Sequence, residues 1–233
     1  MFHYKKNKKK RFLKLERNLI TMSDTKSVVS EQFRTIRTNI TFSAPDQELK
    51  TILVTSSIPG EGKSTNAANI GVVFAQEGKK VLIVDADMRR PTLHHTFRLL
   101  NIDGLSSVLI KQQTIQNVIQ ETSIAGLDIV TSGPLPPNPS ELLASKAMDT
   151  LLKVLRQEYD LVIFDSPPLL PVTDARILSN KCDGTVLIVD RNATKKADIL
   201  KAKASLYASQ AKIMGVVLNN STLPRNQYNY QYR

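Results

Sequence analysis

The chain has one cysteine, Cys182, and no tryptophan among its 233 residues. A lone cysteine excludes an internal disulfide framework and a cysteine-built zinc cluster, and it suits a reducing compartment. No apolar run approaches the roughly 18 residues needed to cross a bilayer as a helix. The first residues carry charge where a secretory signal would carry an apolar core, so neither a span nor a leader is predicted. No internal repeat is evident. At this length a single α/β domain buries most of its apolar surface without a metal or disulfide staple.

What the chain does have is positive charge: 32 Lys+Arg against 21 Asp+Glu, a net of +11. By itself that points toward nucleic acid or an anionic surface. The distribution argues otherwise. Residues 1–17 hold eight basic side chains (Lys5, Lys6, Lys8, Lys9, Lys10, Arg11, Lys14, Arg17) and one acid, Glu16, a net of +7. The remaining 216 residues carry only +4. No nucleic-acid-reading motif accompanies the basic run, so no specific nucleic acid is expected. The run is read as a solvated arm or one drawn to anionic lipid or an acidic partner.

From Lys50 onward, short apolar runs alternate with helix-length segments. Residues 51–55, 81–84, 127–130, 161–164, 185–189 and 213–218 are rich in β-branched residues and apolar on both faces, as parallel strands covered by helices must be. The intervening segments 64–77, 145–157 and 195–209 suit crossover helices. The fold class is therefore α/β, a doubly wound and mostly parallel sheet flanked by helices. A helix is expected over about Ser27 to Phe42. Its apolar stripe is Val29, Phe33, Ile36 and Ile40, and Glu31, Arg34 and Arg37 fall on another arc. Those three can form an intrahelical ion-pair ladder or present a charged face. Ser140 is a candidate cap for a helix after the proline-rich stretch 134–139. Residues 1–24 are read as a basic flexible arm, 25–222 as the folded domain, and 223–233 as a disordered tail containing Tyr228, Tyr230 and Tyr232.

Ser57-Ile58-Pro59-Gly60-Glu61-Gly62-Lys63-Ser64-Thr65 leaves a strand and opens a helix, the setting of a phosphate-binding loop. Gly60 and Gly62 let main-chain N–H groups converge on anionic oxygens, and the helix N-terminus adds partial positive charge. Lys63 can bridge phosphate oxygens and Ser64 can reach a Mg²⁺. Ser57 stands where the usual motif has its first glycine. Two further strand ends supply acids, Asp85 and Asp87 after 81–84 and Asp165 after 161–164. In a parallel sheet these ends share the edge where ligands bind. Asp165 has the position of a Walker B carboxylate. Asp85 and Asp87 can face one site only if the strand ends there; alternatively they cap the following turn. Asp174 and Asp190 are read as solvated or capping. Adjacent His94 and His95 are expected to point apart as polar surface.

These motifs together resemble the bacterial tyrosine kinases of the CpsD/CapB type. The resemblance rests on the deviant loop, Leu82-Ile-Val-Asp-Ala-Asp-Met-Arg89, Leu161-Val-Ile-Phe-Asp165, Glu31-x-x-Arg34-x-x-Arg37, residues 132–143 and the tyrosine-rich tail. It covers about residue 20 to the end and implies a P-loop fold of MinD/ParA-like type. It also implies an ATP- and Mg²⁺-dependent protein-tyrosine kinase. Gly60, Glu61, Gly62, Lys63, Ser64 and Thr65 would hold phosphate, and Asn219 would lie beside adenine. Ser64, Asp87 and Asp165 would hold the metal, and Asp85 would activate the tyrosine hydroxyl. Glu31, Arg34 and Arg37 would build a ring of subunits, and Tyr228, Tyr230 and Tyr232 would be autophosphorylated by a neighbour. The implied partners are a membrane-embedded activator of capsule or exopolysaccharide export, other tyrosine substrates and a cognate phosphatase. The implied location is cytoplasmic, at the inner face of the membrane through that activator. The competing reading is a positioning ATPase of the ParA/MinD type. Against it, the signature lysine of that class aligns with Ile58.

Overall fold

The computed structural model describes residues 19–43 and 48–221. In chain order the elements are α1 (Ile20–Ser23), α2 (Val28–Phe42), β1 (Thr51–Ser56), α3 (Lys63–Ala75), β2 (Val81–Asp85), α4 (Leu93–Phe97), α5 (Leu105–Leu109) and α6 (Ile115–Val118). There follow β3 (Ile119–Glu121), β4 (Leu127–Val130), α7 (Pro139–Ala144), α8 (Lys146–Glu158), β5 (Leu161–Asp165), α9 (Asp174–Lys181), β6 (Gly184–Asp190), α10 (Lys196–Ala208) and β7 (Ile213–Asn219). One seven-stranded sheet has the order β3-β4-β2-β5-β1-β6-β7, parallel except for β3 against β4.

β1, β2, β5 and β6 are buried along their whole length. Their continuous apolar sequences follow from cover on both faces. On one face α3 packs its Ala67, Ile70, Val73 and Phe74 on Val54, Ile83 and Ile163. Gly71 lets this helix sit close, since a Cβ there would lie 2.5 Å from Ile83 Cδ1. α2 docks on the same layer through Phe33, Ile36 and Ile40, the expected stripe, while Val29 is 43 % exposed and lies off it. Ser27 caps α2 by accepting from the Ser30 N–H at 3.2 Å. The opposite face buries Leu53, Val84, Val162 and Phe164 under α8 and its neighbours.

Three expectations need correction. The folded unit begins before residue 25: the Thr21 N–H and hydroxyl both donate to Asn69 Oδ1 on α3, at 3.1 and 2.8 Å, and Thr21 is buried. Residues 20–23 therefore belong to the domain and not to an arm. The helix after the prolines starts at Pro139, with Asn138 at the N-cap and Ser140 one position inside. Proline suits the first helical position because its missing N–H has no helical acceptor there. The short antiparallel edge β3 has too few residues to show a period in sequence. Residues 1–18, with the basic run, and 222–233, with the three tail tyrosines, lie outside the described residues.

Candidate active site

β1 delivers the chain to Ser57, and the loop 57–62 runs directly into α3 at Lys63. Gly60 and Gly62 stand at φ +89° and +86°, backbone that side chains other than glycine adopt only with strain. At Gly62 a Cβ would also lie 2.2 Å from Asn219 Nδ2, so any side chain there displaces that amide. That amide donates to the Glu61 carbonyl at 2.9 Å, so the end of β7 is clamped across the loop. Glu61 can meet the expected role through its main chain only. Its carboxylate is buried and accepts from the Ile58 N–H at 2.7 Å, the Asp190 N–H at 3.3 Å and the Thr194 hydroxyl. It braces the loop against the β6–α10 turn and leaves only its main chain for a ligand. Thr65 lies in the first turn of α3, where its carbonyl accepts from Asn69 Nδ2.

Lys63 is the centre of the cluster. Its Nζ donates to Asp87 Oδ2 at 2.8 Å and to Ser64 Oγ at 3.3 Å, and lies 3.7 Å from Asp165 Oδ1. Burial works against its charge, but Asp165 and Asp87 outweigh it and hold the ammonium above its ordinary pKa. Strand register explains the acids. Asp85 and Asp165 are opposite one another as the last residues of β2 and β5. Because β2 ends at Asp85, the chain turns and Asp87 comes off the sheet toward Lys63.

Asp85 is fully buried. Its Oδ2 accepts from the N–H groups of Thr92 and Leu93, both at 3.0 Å, and its Oδ1 from the Asp87 N–H at 3.2 Å. The turn-capping reading is thus satisfied by this carboxyl. Burial first, and then the charge of Asp165, push its pKa up to about 8, against the pull of those backbone donors. Among the described residues no three carboxylate or imidazole groups converge as a self-sufficient metal cage. One or two carboxylates with a hydroxyl is instead what Mg²⁺ uses when it arrives on a phosphate. Ser64, Asp87 and Asp165 fit that set, and Lys63 among them marks where a cation is already welcome.

The cluster opens into a cleft of about 360 Å³ whose other wall is Pro59, Pro167, Pro168, Pro171 and Val172. At its rim Arg89 forms a two-pronged pair with Asp174 at the start of α9, Nε–Oδ2 2.9 Å and Nη2–Oδ1 3.1 Å. Asp174 is buried, so the solvated reading of this residue is wrong. The partners are 85 residues apart, and no local pattern announces them. Asp190 does cap a turn, accepting from the Asn192 and Ala193 N–H groups at 2.7 and 3.2 Å. His94 and His95 do not point apart: their ring centroids are 3.9 Å apart, and burial holds His94 below its ordinary pKa. Away from the cleft, Glu31 pairs with Arg34 at 2.6 Å, as a ladder would. Arg37 turns instead to the end of α3, donating to the Val73 carbonyl at 3.0 Å and lying 3.5 Å from Glu77.

Residues 49–194 match the model of an AAA domain. The tyrosine-protein kinase YwqD of Bacillus subtilis is 48% identical over 96% of this chain and 94% of its own. The putative tyrosine-protein kinase CapB of Staphylococcus aureus is 42% identical over 89% of this chain and 91% of its own. The crystal structure of the chimerical protein CapA2B2 superposes with a TM-score of 0.85 at 47% identity, over 88% of this chain and 90% of that one. The septum site-determining protein MinD of Pyrococcus horikoshii, at 22% identity and TM-score 0.62, shares the fold alone. A P-loop sheet with Lys63 set among strand-end acids defines a nucleotide-using class. Within it, this chain belongs to the bacterial tyrosine-protein kinases.

Proposed function

We propose that the chain transfers the γ-phosphoryl group of Mg-ATP to tyrosine hydroxyls, first to Tyr228, Tyr230 and Tyr232 of a neighbouring copy. The observation that carries this reading is Lys63 held 2.8 Å from Asp87 and 3.7 Å from Asp165 at the mouth of a phosphate loop. Bound Mg-ATP supplies the phosphoryl group. The protein supplies placement and charge: the loop N–H groups and Lys63 bind phosphate, Ser64, Asp87 and Asp165 hold the metal, and Asn219 borders the base. Phosphoryl transfer depends mainly on such positioning and neutralisation. Asp85 is the group assigned to take the hydroxyl proton, its proton affinity raised by burial beside Asp165. Since it is fully buried and outside the lining of the cleft, the turn after β2 must shift before a tyrosine reaches it.

Ring assembly through Glu31, Arg34 and Arg37 places a neighbour's tail near each cleft and raises its effective concentration. Of these, Glu31 is exposed on α2 and free to engage another copy once parted from Arg34. A membrane-embedded activator of a polysaccharide export system, with a phosphatase to reset the cycle, completes the reading and places the kinase at the inner membrane face. The test mixes two full-length variants with Mg-ATP. One is Lys63→Met, with its tyrosines intact; the other carries Tyr228→Phe, Tyr230→Phe and Tyr232→Phe, with its site intact. Mass spectrometry should find phosphate on the tail of the Lys63→Met chain only in the mixture. Tail phosphate on Lys63→Met alone would refute the catalytic assignment. No phosphate in the mixture, with wild type active, would refute transfer between copies.

A further inference from the structure

The net positive charge beyond the N-terminal run is concentrated in one segment. Residues 191–212 hold Arg191, Lys195, Lys196, Lys201, Lys203 and Lys212 against one acid, Asp198, a net of +5. Everything else beyond residue 17 sums to −1. Most of this segment is α10.

α10 is apolar on two opposite faces. The inner face puts Ala202 and Leu206 on Leu187 and Val189 of β6. The outer face shows Leu200, 56 % exposed, and Tyr207, 62 % exposed, with Ala197, Ala204 and Ala208 also exposed. At about 100° per residue these five lie within an arc of roughly 100°, centred opposite the buried face. Lys196 and Lys203 border the arc on one side and Lys201 on the other. All three are exposed; the one acid of the helix, Asp198, is half-buried and lies toward the inner side beyond Lys201, and Lys203 Nζ lies 5.6 Å from the centre of the Tyr207 ring. Beside the helix, away from α9, Val216 and Leu218 of β7 are 57 % and 52 % exposed on the same side of the sheet. α8 provides the contrast. Its exposed positions include Lys146, Asp149, Thr150, Lys153, Gln157 and Glu158, mixed in sign and polar. A helix whose solvent face needs only to be soluble looks like α8.

We propose that α10 is a membrane-surface contact: its outer face rests on an anionic lipid bilayer, Leu200 and Tyr207 entering the headgroup layer and the flanking lysines meeting lipid phosphates. A lysine-bordered apolar stripe lying in the interface plane is the physical form of such a contact. Charge complementarity selects the occupant. An anionic lipid surface matches a patch with no exposed acid, whereas the same patch of a second copy would repel it. The contact is independent of the kinase reading and of residues 1–18.

The test exploits the absence of tryptophan. Full-length Leu200→Trp is titrated with vesicles of phosphatidylcholine alone and of equal parts phosphatidylcholine and phosphatidylglycerol. Trp emission should shift to shorter wavelength with the anionic vesicles only, and less at high salt. Adding Lys196→Glu, Lys201→Glu and Lys203→Glu should raise the lipid concentration needed by about tenfold or more, with an unchanged thermal midpoint because all three side chains are exposed. Three outcomes would overturn the proposal. The protein sediments with anionic vesicles while the emission stays fixed, so that another segment makes the contact. The emission shifts with protein concentration and no lipid, so that a second copy covers the helix. The emission shifts with polyglutamate but not with vesicles, so that the face serves an acidic protein.

Discussion

Lys63 and Asp85 show how burial turns ordinary side chains into specialised ones. Lys63 stays charged in a buried site because acids surround it. Asp85 is pressed toward its neutral form by burial and by Asp165 across the strand register. A carboxyl whose folded pKa is raised binds a proton that the unfolded chain has already released. Between about pH 4 and 8 the unfolded state therefore holds fewer protons, and stability falls as pH rises. Asp85→Asn removes this dependence while keeping the shape. Thermal melts across that window should show a shallower decline for Asp85→Asn than for wild type; parallel curves would mean that Asp85 titrates normally. Lys63→Met should lower the rate of tyrosine phosphorylation by about 10²-fold or more, since an oriented charge at a transferring phosphoryl group contributes on that scale. Initial rates of phosphotyrosine formation measure it.

At the scale of elements, the phosphate loop is held from three directions. Glu61 ties it to the β6–α10 turn, Asn219 clamps it from the end of β7, and α3 continues from it into the core. α3 also carries Asn69, whose side chain accepts twice from Thr21 and so fixes the start of the fold. Asn69→Ala strands a buried hydroxyl and N–H, at a cost of about 1–3 kcal/mol. Urea titration should show the lost stability. Hydrogen exchange should show residues 19–24 opening while β1 and β5 keep their protection. Uniform loss of protection would mean that α1 and the core open as one unit.

The whole molecule divides its charge by place: +7 in residues 1–17, +5 in residues 191–212, and −1 in the rest. The cleft belongs to the near-neutral remainder, where acids and bases nearly balance. Each tail phosphate adds about −1.5 to −2 charges. The cleft sets Asp87 beside Lys63, Arg89 and Arg90, so release rests on repulsion between the tail phosphates and those of the next bound ATP. Light scattering should therefore report a smaller assembly for phosphorylated wild type than for the Tyr228→Phe, Tyr230→Phe, Tyr232→Phe variant after the same incubation. Equal sizes would break the link between phosphorylation and release.

Much of this was legible in one dimension because the physics is local. Apolar runs covered on both faces read as parallel strands. Gly60, Gly62, Lys63 and Ser64 read as a phosphate loop because a strand, a turn and a helix N-terminus are consecutive in the chain. Asp85, Asp87 and Asp165 could be placed on one edge because parallel strands share it. What only the tertiary structure decided lies between segments far apart in sequence. The inward turn of Glu61, the Arg89–Asp174 pair, the clamp of Asn219 and the docking of Thr21 on Asn69 all depend on distances no period encodes. So does the outer face of α10, whose two apolar sides look alike in sequence. Only the sheet beneath one of them, burying Ala202 and Leu206, leaves Leu200 and Tyr207 facing out.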